Sequence, residues 1–335
     1  MNPGQPPLVS ICIPTHNRAG FLSRLLQSVE CQKDSLPYEL RVQDNASVDD
    51  TAAVFARMAC SDPRWFYERN ERDLGGRANI RLCTTQARGR YVWIVGDDDH
   101  LLNNALGKLA GVLLAADRDG ASAILCSTKL GSKYKEGALF PSGLEWLRRL
   151  SVNVPAFISG TIWERDFWNG YPYGQYPAEM SLPQLDCFIE ACLSRKVLGY
   201  SGQLVAAGQA ERTDEPSFWF YAQHARVDCF EYPALYAKIL KRGRTDLLTN
   251  IVIRLRRVAL LREIWKKALF IRYNEAHYRV SRESFRPYHG GTCYWPFMRA
   301  LLWLVLDSRI GQIVAARTYK GVDRLPTSLH DGHGG

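Results

Sequence analysis

The sequence predicts an α/β fold: a doubly wound, mostly parallel sheet flanked by helices and continued by a helical C-terminal extension. Three observations carry that prediction. Strand-like and helix-like segments alternate four times between residues 8 and 95. Tyr91–Val95 is an unbroken run of β-branched and aromatic residues ending in Gly96, the pattern of a strand buried on both faces. From Phe218 onward, long amphipathic helical segments rich in arginine replace the alternation.

The elements follow in order. Leu8–Ile13 is a short apolar strand that Pro14 ends, and Thr15–Arg18 form a polar loop. Phe21, Leu22, Leu25, Leu26 and Val29 then make a helical stripe. The strand Glu39–Gln43 runs into Asp44 and Asn45, and Asp49 and Asp50 sit where a helix dipole favours acids. Trp65–Glu68 is a third strand, Leu74–Arg77 a turn, and Ala78–Arg88 a helix leading to Tyr91–Val95. Beyond the acids Asp97, Asp98 and Asp99 come a helix over Leu102–Ala115 and a strand over Ala121–Cys126. Gly143–Leu150 reads as a helix, and Ala156–Trp163 as a strand pair or a strand bulged at Gly160. Gly170–Pro183 is an irregular loop, Leu185–Leu193 a helix, Val197–Ala207 a strand and Ala210–Ser217 a flap. The expected organisation is a main domain over 1–217, a basic helical region over 218–320 and a disordered tail over 321–335.

Composition narrows the class. No stretch approaches the ~20 apolar residues of a membrane span, and the short polar Met1–Pro7 does not read as a signal peptide. Nine cysteines scattered singly, with no CxxC, fit reduced thiols in the cytoplasm. The net charge of +9 is concentrated: Tyr236–Arg286 holds fourteen Lys or Arg against four Asp or Glu. That surplus suggests an anionic surface as partner, such as a phospholipid leaflet at the inner face of the cell membrane. Nucleic acid is disfavoured, because the aromatics there lie on apolar stripes and no RNA-binding signature is present. In Leu247–Arg272 the stripe comprises Leu248, Ile251, Val252, Leu255, Val258, Ala259, Leu261 and Trp265, and Pro296–Ala316 forms a second amphipathic segment. Both fit helices lying on a lipid surface, and equally a helical subdomain packed on the core.

The chemistry centres on Asp97–Asp99. Three like charges on a rigid strand end repel, and burial worsens the repulsion. A cation relieves it, and oxygen ligands suit Mg²⁺ or Mn²⁺. The plainer alternative is a solvated acidic turn that caps the next helix. In a parallel sheet, ligands gather at the carboxyl ends of the strands, where Thr15–Arg18, Asp44–Asn45 and Asp97–Asp99 all fall. A metal at Asp99, with Asp97 or Asp98 as second ligand, can bridge two phosphates. Asp44 and Asn45 can bond a base or ribose, and Pro14, Thr15, Asn17 and Arg18 can flank the nucleotide. Arg77, after a Gly-Gly turn, can meet a phosphate or stand as an ordinary helix-start arginine. Asp186 is the best-placed general base, ahead of Glu179 and Asp166, although a first-turn acid also simply stabilises its helix. No Ser/His/Asp grouping, P-loop or metal-spaced histidine set appears.

Val9–Arg18, Val42–Thr51 and Gly89–Asp99 resemble, in order and spacing, three segments of the family 2 glycosyltransferases, the last being the metal-binding DXD motif. The resemblance covers roughly residues 8–115 and stops by about residue 215. It implies a GT-A fold, a nucleotide-diphospho-sugar donor, Mn²⁺ or Mg²⁺, and inversion at the anomeric carbon. It also implies a saccharide or lipid-linked saccharide as acceptor in polysaccharide or O-antigen synthesis. Carried onto this chain, Asp44 would contact the base, with Thr15, Asn17 and Arg18 at its border. Asp97 and Asp99 would serve the metal and diphosphate. Ser159–Arg165 is similar to the family's acceptor-side strand. Leu185–Asp186 resembles the segment bearing the catalytic base, with Leu185 in place of the usual glutamate. His16 and Gln43 replace a tyrosine and an aspartate. The rival expectation is a non-catalytic nucleotide-sugar or carbohydrate binding module.

Overall fold

β1 (Val9–Thr15) sits in the interior of the sheet because neither face needs water: Val9, Ile11, Cys12 and Ile13 are fully buried, and the one polar side chain among them, Ser10, is buried with a partner. The computed structural model describes residues 6–32, 36–59, 62–126, 137–141, 147, 157–171, 183–194, 196–208, 227–242, 245–274, 282–289 and 292–320. Helix α1 (Ala19–Glu30) buries Leu22, Leu25, Leu26 and Val29 as their spacing predicts. Phe21 is only half-buried, with the guanidinium groups of Arg18 and Arg24 over its ring. β2 (Tyr38–Asp44), α2 (Thr51–Ala59), β3 (Trp65–Arg69), α3 (Gly76–Thr85) and β4 (Tyr91–Ile94) complete the alternation. The strands lie in the order β3-β2-β1-β4, all parallel. β2 also buries Glu39 and Arg41, which stay polar because they are paired. Ser10 donates to Glu39 at 2.6 Å, and Arg41 donates to Glu68 at 3.1 Å.

Beyond β4 lie β5 (His100–Leu101), α4 (Ala105–Asp119), β6 (Ala121–Cys126), β7 (Leu139–Pro141), β8 (Thr161–Glu164), β9 (Lys196–Tyr200) and β10 (Val205–Ala206). The large sheet continues β4-β8-β6-β9-β7, with β8 antiparallel to both neighbours, so the sheet is mixed rather than uniformly parallel. Periodicity reports burial, not strand direction. Over 157–163, where a strand pair or a bulged strand was expected, Ile158–Gly160 forms a 3₁₀ turn and β8 begins after it, while Ala156 lies outside the described residues. The predicted strand Val197–Ala207 breaks in two, and β10 pairs antiparallel with β5 in a separate small sheet. Helix α4 starts and stops later than predicted because Asn104 and Gly120, at its two ends, adopt left-handed backbone. The predicted helix Gly143–Leu150 (apart from Leu147), the Gly170–Pro183 loop from 172 to 182, the Ala210–Ser217 flap, the Phe218–Tyr221 cluster and the tail lie outside the described residues.

The chain divides into two compact units, residues 1–175 with 183–211, and 176–182 with 212–335. The second contains the helices Tyr232–Arg242, Leu247–Tyr273, Trp295–Leu302 and Arg309–Thr318. Asp246 caps the longest of these by accepting from the Thr249 N–H at 2.7 Å. Ile264, Ala268 and Ile271 pack with Met298, Leu302, Val305 and Ala315. Pro296–Ala316 is interrupted by a π-turn at Trp303–Asp307, and Ser308 caps a new helix by accepting from Gly311. Much of the predicted stripe of the long helix faces outward: Leu248, Ile251, Leu255 and Val258 are exposed, whereas Ile253 is buried. Among the described residues, no helix is long and apolar enough to cross a membrane, and eight cysteines are free.

His289 is fully buried in this second unit, its ring 3.4 Å from the Cys229 carbonyl oxygen and 3.4 Å from the Tyr294 hydroxyl. Burial, reinforced by Arg257, pushes its pKa down to about 4 from 6.5. The unfolded chain therefore binds the extra proton first as pH falls. The stabilisation is full above about 6.5 and is lost toward 4, an amount on the order of 3 kcal/mol. Chemical unfolding at pH 7 and pH 4.5 should show that loss, and a His289→Gln variant should not reproduce this part of the pH dependence.

Candidate active site

The parallel ladders bring three strand ends to one edge. Thr15 is the register partner of Asp44, the Asn45 N–H donates to the Thr15 carbonyl at 2.9 Å, and the Val95 N–H donates to that of Cys12 at 2.9 Å. The chain then turns at Gly96, and Asp97 points back to the β1 end. Thr15 Oγ1 donates to Asp97 Oδ2 at 2.7 Å, and Arg18 Nη1 donates to Oδ1 at 2.9 Å. The same guanidinium stands 3.6 Å from Asp98, whose side chain is one-third exposed (33%). Asp97 and Asp99 are both buried.

Asp99 is held by neutral donors. Ser159 Oγ donates to its Oδ2 at 2.5 Å, and the Gly208 N–H donates to its Oδ1 at 3.0 Å. Ser159 is itself fixed, because its hydroxyl accepts from the Gly96 N–H at 2.8 Å and its carbonyl accepts from Trp93 Nε1 at 2.9 Å. Burial raises the Asp97 carboxyl above the ordinary range, with Asp98 adding to the effect, against the pull of Arg18 and Thr15. Burial likewise raises Asp99, with Asp98 and Asp97 adding and Ser159 and Gly208 opposing. Among the described residues, the half-exposed guanidinium of Arg18 is paired with Asp97 and Asp98, while neutral groups hold Asp99, so negative charge gathers at this buried turn.

These residues fit a divalent ion. A Cβ at Gly96 would stand 3.0 Å from both Asp98 Oδ1 and Asp99 Oδ2, so the two carboxylates lean together over a residue with no side chain. Among the described residues, no group of three or more His, Cys, Asp or Glu is placed to hold a metal ion by itself. Mg²⁺ and Mn²⁺ suit such a partial site, because they take one or two carboxylates and complete their shell with water and substrate phosphates.

Asp44 is fully buried: the Ser47 N–H donates to it at 2.9 Å, the Tyr67 hydroxyl at 2.5 Å, and Arg69 Nε lies 3.5 Å away. Burial, followed by the bond to Asp44, raises the Tyr67 phenol. Asn45 braces the loop before α3. Its Oδ1 accepts from Leu74 N–H and Asn70 Nδ2, each at 2.9 Å, and its Nδ2 donates to Asp73. Asn17 is exposed with a left-handed backbone (φ 52°), and it ties the β1 loop to Ser47 and Val48. Pro14 is half-buried within β1, and Arg77 is half-buried in the first turn of α3, behind Gly75 (φ 77°). Asp186 is buried in the first turn of the helix Pro183–Ser194, which packs Phe188 edge-on against Trp163 of β8. Direct bonds therefore join Thr15, Arg18 and Asp97, and the ladder adds Asp44 and Asn45, whereas Arg77 and Asp186 are placed by their helices. The departures are both used: His16 Nδ1 lies 2.7 Å from the Asn45 carbonyl oxygen, and Gln43 donates to Asn70 at 2.9 Å. Asp166 is exposed beside Arg165, and Glu179 lies outside the described residues.

The sequence profile of glycosyl transferase family 2 matches residues 10–152. Over those residues the chain is similar to glycosyl transferase family 2. This chain is 39% identical over 105 residues to abequosyltransferase RfbV of Salmonella typhimurium, covering 30% of this chain and 31% of that protein. It is 34% identical over 105 residues to the GalNAc(5)-diNAcBac-PP-undecaprenol β-1,3-glucosyltransferase of Campylobacter jejuni, covering 31% and 33%. The aligned stretches therefore span about a third of each of these relatives. Among solved structures, S. aureus TarS aligns with a TM-score of 0.54 at 18% identity, over 93% of this chain and 55% of that one. Mannosyltransferase PcManGT from Pyrobaculum calidifontis, in complex with GDP-Man and Mn²⁺, aligns with a TM-score of 0.54 at 17% identity, over 96% and 89%. The fold is GT-A.

Two residues around Asp99 escape a reading by motif. Ser159 showed only as part of an acceptor-side strand, and Gly208 carries no sequence signal. Gly208 packs so closely that a Cβ there would fall on the Asp98 carbonyl oxygen. Gly208→Ala should therefore displace the acid turn, costing about 1–3 kcal/mol of stability and weakening metal binding, as thermal melts with and without Mn²⁺ would show. Tyr67 and Arg69 were also missed, although β3 ends at the same edge as β1 and β2.

Proposed function

We propose that this chain is an inverting glycosyltransferase that moves a sugar from a nucleotide-diphospho-sugar to an acceptor hydroxyl. The acceptor is a saccharide, carried on a lipid in bacterial polysaccharide or O-antigen synthesis. The observation that carries the reading is the buried pair Asp97 and Asp99 at the end of β4, tied to Thr15 and Arg18 at the end of β1. The relatives support the transfer chemistry, and the undecaprenol-linked substrate in the name of the Campylobacter enzyme supports the acceptor class.

In this reading Asp99 and Asp97 hold Mn²⁺ or Mg²⁺, which when bound offsets the negative charge of the diphosphate leaving group. The protein's own groups do the rest. Asp44, fixed by Ser47 and Tyr67, meets the base, while Pro14, Thr15, Asn17 and Asn45 shape the nucleotide pocket. Arg18 and Arg77 supply cations for the phosphates. Asp98 holds water beside the diphosphate. Asp186 takes the proton from the acceptor hydroxyl as that oxygen attacks the anomeric carbon, and the carbon–phosphate oxygen bond breaks from the opposite side. The region 1–217 performs the transfer, and the basic region 218–320 keeps it at the cytoplasmic face of the membrane.

Thermal-shift measurements against UDP-, GDP-, dTDP- and CDP-sugars with Mn²⁺ test this. A ligand at a hundredfold its Kd stabilises by about 2.7 kcal/mol, so one nucleotide class should raise Tm by several degrees. Absence of any shift, together with no metal-dependent release of nucleoside diphosphate, would refute the reading.

A further inference from the structure

The transfer chemistry leaves the outward face of the helix Leu247–Tyr273 unused. In its first three turns, Leu247, Leu248, Ile251, Leu255 and Val258 recur at helical spacing and share one side. All are exposed, Leu247 at 77% and Leu255 at 64%, while Thr249 and Ile253 on the other side are fully buried. Isolated surface leucines are ordinary, but a continuous apolar row is not.

The basic character of this stretch of sequence, with Arg254 exposed beside the row, points to the kind of partner that covers it. Tyr236–Arg286 carries fourteen Lys or Arg against four Asp or Glu. A second copy would bring two strongly basic stretches together, which repel. An anionic lipid surface satisfies both features: the headgroup–acyl boundary takes the apolar row, and the headgroups meet the cations. The same unit exposes Phe297 and Trp303, and aromatic rings favour that boundary. No helix among the described residues can cross a membrane, so the contact is interfacial.

We propose that the Leu247–Val258 face docks on an anionic phospholipid leaflet. The proposal rests on the reading of a membrane-borne acceptor, to which it assigns a surface.

Flotation of the full chain with phosphatidylcholine vesicles, with and without phosphatidylglycerol, tests it alongside the nucleotide-sugar thermal shift. Binding should require phosphatidylglycerol, weaken with added salt, and fall roughly tenfold or more in the double variant Ile251→Glu/Leu255→Glu. The nucleotide-sugar shift of that variant should be unchanged. Leu247→Ser with Leu248→Ser, at the exposed helix start, gives the same test should the charged pair unfold. Wild type that fails to float, or variants that float equally well, would overturn the docking face. So would a wild-type dimer that the variants split, since the row would then belong to a second copy. A retained nucleotide-sugar shift without flotation sinks the docking face alone, and flotation with neither a shift nor metal-dependent release of nucleoside diphosphate sinks the transferase reading alone.

Discussion

Asp99→Asn is expected to lower metal-dependent sugar transfer by roughly a hundred- to a thousandfold, measured as release of nucleoside diphosphate with Mn²⁺ varied. The substitution keeps the shape of the side chain and an oxygen that can accept from Ser159 or Gly208. What it removes is the charge that a cation needs. The same change should raise the melting temperature of the metal-free protein at neutral pH. Burial lifts the Asp99 carboxyl above 3.8, so the folded state favours its protonated form. Its contribution to stability is full below the unfolded value and is lost as pH rises through the folded one. The variant's advantage should therefore be largest at neutral pH and close as pH falls through the raised value toward 3.8. Lost turnover with a gain in apo stability would mark a site whose strain serves binding.

Asp186→Asn is expected to cut kcat by about a hundred- to ten-thousandfold while leaving the KM for the donor near its wild-type value. Asparagine preserves volume in the first turn of Pro183–Ser194, where Asp186 is buried, but it cannot accept the acceptor's proton. The acid limb of the pH–rate profile should disappear with it. An acid that merely stabilised its helix would show instead a small fall in Tm and an unchanged profile.

Half of the sheet was legible because β1, apart from Ser10, and β4 are apolar and each ends in polar residues. Such strands can lie only inside a covered sheet, and their ends can lie only at its edge. Strand direction was not legible: nothing in Thr161–Glu164 announces that β8 runs against β4 and β6. The break between β9 and β10 depends on a neighbour distant in sequence, because β10 pairs with β5. The acids Asp97–Asp99 could be found from their position after a buried strand. Their supports could not, because the hydroxyl of Ser159 and the missing side chain of Gly208 gain meaning only once folding sets them against Asp99 and Asp98. In the long helix the apolar spacing was plain, but not which side it would face. Ile251 and Leu255 stand in the exposed row, and packing claims Ile253 instead.

Electron paramagnetic resonance of Mn²⁺, titrated with the protein in the presence of a nucleoside diphosphate, addresses the acid pair most directly. The free Mn²⁺ signal should fall as ion, nucleotide and protein combine, and Asp99→Asn should restore it. Undiminished free Mn²⁺ with wild type, or equal uptake by the variant, would contradict a cation held at the end of β4.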